Sequence, residues 1–164
     1  MINLKIRRAS AEDWKLVRDT YLTLLKTDPQ AFADEYGDVA DWTEETWKEN
    51  LNSKTTFLAI SSGQTIGIAS IGYYEQLPNV PVLHKLGVIN EYRGHGVGKE
   101  LVAAREDWAR ARGAHAVRVY VMADNEKVIA SSKRNEYEIV ETLKNNVEKK
   151  GNYYDVVVLE KKLS

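Results

Sequence analysis

The chain has no cysteine among its 164 residues. That excludes disulfides, thiolate metal sites and a cysteine nucleophile, while leaving the compartment undecided. No apolar run approaches the roughly 20 residues of a membrane-spanning helix. The first residues, Met1-Ile2-Asn3-Leu4-Lys5-Ile6-Arg7-Arg8, alternate like a strand and lack the apolar core of a secretory signal. A soluble cytoplasmic protein with no membrane partner is expected. Net charge is also scarce, with 23 basic and 24 acidic residues leaving a formal −1; that argues against nucleic acid as a partner. Internal repeats and low-complexity linkers are missing, so 164 residues read as one domain, 1–164, large enough to bury a core. One absence is local. Between Lys26 and Lys48 there is no Lys or Arg, while Asp28, Asp34, Glu35, Asp38, Asp41, Glu44 and Glu45 all fall there.

Periodicity supplies the elements. Ile2 to Arg8 predicts a strand, and Ser10-Ala11-Glu12-Asp13 resembles a capping box. Trp14, Val17, Tyr21, Leu24 and Leu25 then recur at helical spacing to about Lys26, and Asp28-Pro29 ends that helix. The acidic segment is expected as loop or irregular turn, followed by a helix capped at Thr43 with Trp47 and Leu51 on one face. Trp42, just before that cap, suits a hydrophobic staple. Strands are predicted at Thr55–Ile60 and Thr65–Tyr74 around the turn Ser61-Ser62-Gly63-Gln64, and at Val82–Val88 after a loop marked by Pro78 and Pro81. A helix from Val97 to about Arg112 puts Val97, Leu101, Ala104, Trp108 and Ala111 on one stripe and stops at Gly113. Val117, Val119 and Val121 alternate as a strand, and a short helix spans about Glu126 to Arg134. Two last strands, near Tyr137–Lys144 and Tyr153–Lys161, are joined by the polar run Asn145 to Asn152. The class is α+β.

Arg93-Gly94-His95-Gly96-Val97-Gly98 carries the most information. It stands between an apolar strand and a helix start, where glycines let backbone N–H groups converge on an anion and the helix end adds partial positive charge. A triphosphate P-loop needs four residues before its Gly-Lys pair and then Ser or Thr; here Gly94 and Gly98 enclose three residues, and Glu100 follows Lys99. A dinucleotide fingerprint needs G-x-G-x-x-G, whereas these glycines run G-x-G-x-G.

The remaining pattern, R-x-x-G-x-G, resembles the pyrophosphate loop of the Gcn5-related N-acetyltransferase superfamily. A second signature, Asn125-Glu126-Lys127-Val128-Ile129-Ala130, is similar to that superfamily's N-x-x-A-I segment, and Glu136-Tyr137 stands where relatives show Gly-Phe. The resemblance covers the whole chain, most strongly from Val82 to Tyr137. It implies a mixed, mostly antiparallel central sheet of about seven strands with splayed central strands, flanked by about four helices. It also implies acetyl-CoA as cosubstrate, no metal, and a homodimer as a frequent state among relatives.

Acetyl transfer requires a held donor, a polarised carbonyl and a neutral amine. An alkylammonium near pKa 10.4 is neutral in about one molecule per few thousand at pH 7, a penalty of roughly 4–5 kcal/mol. By resemblance, the N–H groups from Arg93 through Gly94, His95, Gly96, Val97 and Gly98 to Lys99 wrap the coenzyme's pyrophosphate. Leu86, Gly87 and Val88 pair with the pantetheine arm, and the N–H near Val88 polarises the thioester. Gly87 suits a bulge, or equally a strand glycine relieving crowding. Asn125 stands where relatives contact the pantetheine arm, and it also reads as a helix N-cap. His84 is the candidate general base, with an ordinary pKa near 6.5, beside the simpler reading of a half-exposed strand histidine. Glu75 and Glu35 are weaker candidates, and many relatives relay the proton through water. Ser132 occupies the position where many relatives carry a tyrosine that protonates the thiolate. It lacks that reach and acidity, so a positioned water, Tyr120 or Tyr137 could substitute, or no acid is needed.

The acceptor side of such a fold is formed by the first helices and their connection, here the acidic segment. Its carboxylates would attract a cationic small-molecule or peptide amine; an ordinary solvated loop is the plain alternative. Two functions follow: an N-acetyltransferase acting on a primary amine by direct attack in a ternary complex, or a non-catalytic acyl-CoA-binding or regulatory module.

Overall fold

The first helix starts where the sequence places its cap. In the computed structural model, which describes residues 2–32 and 34–164, the Ser10 backbone N–H donates to Asp13 Oδ2 at 2.8 Å and the two residues close a capping box. Arg7 donates to both oxygens of Asp13, at 2.8 and 2.9 Å. Strand β1 (Leu4–Arg8) and helix α1 (Trp14–Thr27) are thereby tied through one carboxylate. Those Arg7 hydrogen bonds, working against desolvation, bring the Asp13 pKa down to about 2.

The chain divides into two compact units. The first comprises Met1–Gly72 and Leu83–Trp108. Here β1 pairs antiparallel with β2 (Thr55–Ser61), Leu4 opposite Ser61 through Arg8 opposite Phe57, and β2 pairs antiparallel with β3 (Gln64–Tyr74). Val17, Tyr21, Leu24 and Leu25 of α1 form a core with Phe32, Val39, Trp47, Leu51, Leu58 and Ile68. Helix α3 (Glu44–Ser53) is capped as expected, its Thr46 N–H donating to Thr43 Oγ1 at 3.2 Å. Trp42 meets Trp47 edge-on with ring centroids 4.8 Å apart, the expected staple. The acidic segment departs from expectation by forming a short helix, α2 (Tyr36–Ala40), so there are five α-helices among the described residues where about four were expected. Its one buried residue, Val39, gives too little periodicity to read.

The second unit comprises Tyr73–Val82 and Ala109–Ser164. Strand β5 (Ala116–Met122) pairs antiparallel with β7 (Asn152–Lys162), which pairs antiparallel with β6 (Glu138–Lys149). The expected polar connection Asn145–Asn152 is mostly strand. Lys150 and Gly151, at φ 51 and 80, make a two-residue hairpin turn, and the ladder slips between Leu143 and Val147. Exposure along β6 hid its pattern. Helix α5 (Glu126–Arg134) ends before Glu136, which adopts φ +72, the left-handed conformation glycine takes without strain. Tyr137 beside it is 5% exposed.

Strand β4 (Leu77–Val88) begins five residues before its expected start, with Pro78 and Pro81 inside it. A proline costs a strand only its missing N–H, which a position turned away from the ladder does not need. The seven strands form one mixed, mostly antiparallel sheet in the order β1-β2-β3-β4-β5-β7-β6. No described helix is long and apolar enough to cross a membrane.

Candidate active site

Helix α4 (Val97–Ala111) opens on the glycine loop. Gly94 and Gly96 take φ +83 and +81, conformations that strain any side chain. The first intrahelical bond runs from the Glu100 N–H to the Gly96 carbonyl at 3.1 Å, and among the described residues the N–H groups of Gly94 to Lys99 reach no backbone acceptor. A Cβ at Gly94 or Gly96 would meet nothing within 4 Å, and one at Gly98 only Val88 Cγ2 at 3.9 Å. Unpaired donors thus line an open shelf at a helix N-terminus, which fits a pyrophosphate. Val97 is buried with Leu101, Ala59, Ile66 and Ala69, fixing the helix start. His95 and Lys99 are exposed beside the shelf. Arg93 is a brace: its Nε donates to the Val88 carbonyl at 3.0 Å, and its Nη2 lies 3.5 Å from Asp28.

Leu86, Gly87 and Val88 lie on β4 directly before this loop, Leu86 being 40% exposed. The two readings of Gly87 separate here. Its φ is not left-handed; Lys85, two residues earlier, carries the positive φ of +50 that breaks the strand's regularity. Gly87 instead permits close packing, because a Cβ there would fall 2.5 Å from Leu24 Cδ1 and 3.2 Å from Phe32 Cζ. The expected stripe of α4 shifts as well. Buried positions are Val97, Leu101, Arg105, Glu106 and Ala109, while Ala111 is exposed. Arg105 donates to the carbonyl of His84 at 3.1 Å and of Ser70 at 3.4 Å, holding β3 and β4 together.

His84 sits among cations. Burial first, then Lys54, Lys85 and Arg105, push its pKa down to about 3. The ring is neutral near pH 7, as a base must be, but its affinity for a proton is several orders of magnitude below that of an ordinary imidazole. That environment weighs against the general-base role. Lys85 turns toward α1 and α3: its Nζ donates to Asn50 Oδ1 at 2.8 Å and lies 5.0 Å from the Tyr21 ring centre and 5.6 Å from that of Trp42. Withdrawal from water, with Lys54 adding and Asp34 opposing, lowers its pKa to about 8. Lys54 is lowered mainly by desolvation too. Asp34 accepts from the Tyr21 hydroxyl at 2.8 Å, so one member of the acidic segment serves the interior. Glu35 is half-buried, while Asp38, Asp41, Glu44 and Glu45 are exposed.

In the second unit, Asn125 caps α5, its side-chain oxygen accepting from the Val128 N–H at 3.4 Å. Ser132 is half-buried on α5, and its carbonyl accepts from the N–H groups of Asn135 and Tyr137 at 3.0 Å each. Tyr137, buried beneath Lys161 with Nζ 5.7 Å from its ring, is poorly placed to replace the missing tyrosine; Tyr120 is 43% exposed.

Sequence reading missed Lys85, Lys54 and Arg105. The dipeptide His84-Lys85, two charge-bearing side chains in succession within an apolar strand, was the available signal. Strict alternation cannot turn both inward, and only the left-handed residue at Lys85 resolves it.

The sequence profile of the acetyltransferase (GNAT) family matches residues 18–134, more than half of the chain. No curated protein matches significantly. Among solved structures, the chain is similar to a GNAT-family acetyltransferase from Streptococcus pneumoniae (TM-score 0.80, 22% identity, covering 99% of this chain and 100% of that one). It is similar to a ribosomal-protein-alanine N-acetyltransferase from Brucella melitensis (TM-score 0.77, 26% identity, 96% and 99%). The yncA protein of Salmonella typhimurium, solved with its cofactor acetyl-CoA, matches with TM-score 0.76 at 18% identity over 99% and 95%. The chain belongs to the acetyltransferase (GNAT) family and is an acetyl-CoA-dependent acetyltransferase.

Proposed function

We propose that this protein transfers the acetyl group of acetyl-CoA to a primary amine by direct attack in a ternary complex, with residues 1–164 acting as one domain, since β3 and β4 each run from one unit into the other. The observation that carries this reading is the shelf of unpaired N–H groups from Gly94 to Lys99. Those groups hold the pyrophosphate, with His95 and Lys99 adding positive charge at its rim. The backbone of Leu86, Gly87 and Val88 holds the pantetheine arm, and the Val88 N–H donates to the thioester oxygen as charge develops there. Asn125, in the second unit, caps α5. The amine nitrogen bonds to the carbonyl carbon, the carbon–sulfur bond breaks, and the amine's proton leaves through water rather than through His84. The thiolate leaves without a tyrosine to protonate it.

The acceptor is a small-molecule or peptide amine that arrives as a cation, recruited by the exposed Asp38, Asp41 and Glu45, Glu44 being paired with Lys48 at 2.9 Å. The Brucella relative, an N-acetyltransferase for a protein alanine, supports a peptide amine. The second reading, an acyl-CoA-binding module without turnover, is favoured by one feature: serine stands at 132 and the nearby Tyr137 is buried.

Thiol release from acetyl-CoA across a panel of primary amines separates the two. Amine-dependent release is expected. Coenzyme A binding with no release for any amine would establish the module instead. His84→Ala should keep kcat/KM within about threefold, and the rate should show no inflection near pH 6.5. A loss of a hundredfold or more would restore His84 as the base.

A further inference from the structure

Resting on that transferase reading, one group of side chains in the first unit names a chemical feature of the acceptor. Lys85 and Lys54 are both half-buried, and Asp34 is the one carboxylate that acts on them electrostatically. Among the described residues no carboxylate lies within ion-pair distance of either ammonium, and the Lys85 ammonium makes a single hydrogen bond, to Asn50. Asp34 is meanwhile engaged by the Tyr21 hydroxyl at 2.8 Å. Charges withdrawn from water are ordinarily paired, because desolvation costs several kcal/mol that one neutral hydrogen bond does not return. The Tyr21 and Trp42 rings offset part of this cost for Lys85 but use none of its N–H donors.

A second observation is independent of charge. Lys85 holds φ +50 in the middle of β4, a conformation that costs a non-glycine residue on the order of 1–2 kcal/mol. Strain of that kind persists only where the surrounding structure over-determines it. This one aims the ammonium toward α1 and α3, the helices flanking the acidic segment. It stands one residue before Leu86–Val88, the backbone assigned to the pantetheine arm.

We propose that Lys85 and Lys54 form an anion subsite on the acceptor side, selecting amines that also carry a carboxylate, as an amino acid does. The exposed carboxylates of the acidic segment recruit the ammonium end of such a zwitterion. The two lysines take the carboxylate end, supplying the negative charge their surroundings lack, while Asn50 and the two rings hold Lys85 in place. A polyamine gains from the outer carboxylates and is repelled by the inner lysines.

The test is equilibrium binding of matched product pairs by calorimetry in saturating coenzyme A: N-acetyl derivatives of the common amino acids against their neutral primary amides. At least one acid should bind about tenfold or more tightly than its amide, the scale of a charge-assisted hydrogen bond. Lys85→Met and Lys54→Met should each bring that ratio to within about threefold, and added salt should lower it in the wild type. Two variants are needed because Lys85 lies in a strained strand, whereas Lys54 lies outside it and keeps the test informative if Lys85→Met melts early. Equal binding within every pair, absence of binding by every acid, or a preference that survives both substitutions would overturn the proposal. Thiol release with the free amino acids is read separately. Acids that bind without any amine being acetylated would refute the transferase reading and leave the anion subsite standing.

Discussion

Gly87→Ala tests the packing that positions β4 before the glycine loop. The added methyl carbon would sit 2.5 Å from Leu24 Cδ1, 3.1 Å from Leu24 Cδ2 and 3.2 Å from Phe32 Cζ. Leu24 must retreat by about 1 Å to reach ordinary contact distance. It is fully buried within the cluster that includes Tyr21, Leu25 and Phe32, and Phe32 closes the other side of the added methyl. Overpacking of this sort costs about 1–3 kcal/mol. For a chain of this length that lowers Tm by about 3–10 °C, readable by thermal or urea unfolding followed by circular dichroism. Leu24→Ala should by itself cost about 2–5 kcal/mol through the cavity it leaves. The double variant should be more stable than the sum of the two losses by at least about 1 kcal/mol, because the methyl at 87 then enters the vacated space. Because β4 and α1 are pressed together at this point, the coenzyme A affinity of Gly87→Ala should fall and that of the double variant should partly recover. A Gly87→Ala protein melting within about 1 °C of wild type, or an additive cycle, would refute the close-packing account.

Alanine at Gly94 or Gly96 should separate binding from stability. Each position has open space but positive φ, so the free energy of unfolding should fall by only about 1 kcal/mol from wild type, while calorimetric Kd for coenzyme A rises about tenfold or more as the methyl enters the shelf. Asp13 makes the acid limb of the stability curve predictable. Its pKa is lowered on folding to about 2, so its contribution is complete above about pH 5 and is lost as pH falls through 2. Urea unfolding should show wild type losing about 1–2 kcal/mol more than Asp13→Asn between pH 5 and pH 2, and parallel curves would remove the Arg7–Asp13 pair as the cause.

Much of the fold was legible wherever a residue's local chemistry and its tertiary role coincide. Ser10–Asp13, Thr43 and Asn125 cap the helices they were read to cap, and Trp42 staples against Trp47, because caps and staples are decided within four residues of chain. Strands with one buried face were read nearly to their ends. The errors fall where that local signal was weak or misleading. Exposed β6 has no alternation to find, prolines concealed the first half of β4, and one buried residue could not announce α2. In α4 an amphipathic stripe was drawn through apolar residues, whereas the buried face includes Arg105 and Glu106. A long side chain that reaches two carbonyls in distant strands looks like any surface arginine until those strands are in place.

The same division runs through the site. By itself the sequence determined the glycine shelf, because it is built from consecutive residues whose spacing dictates both the backbone conformation and which N–H groups stay unpaired. Only the tertiary structure decided the rest. His84 reads as an ordinary imidazole until burial first, and then the charges of Lys54, Lys85 and Arg105, lower its basicity. The acidic segment reads as a uniform cation trap until Asp34 turns inward to Tyr21 and two lysines come within its field. Electrostatic environment is a sum over neighbours in space, and residues 21, 34, 54 and 105 become neighbours of the 84–85 pair only when the chain has folded.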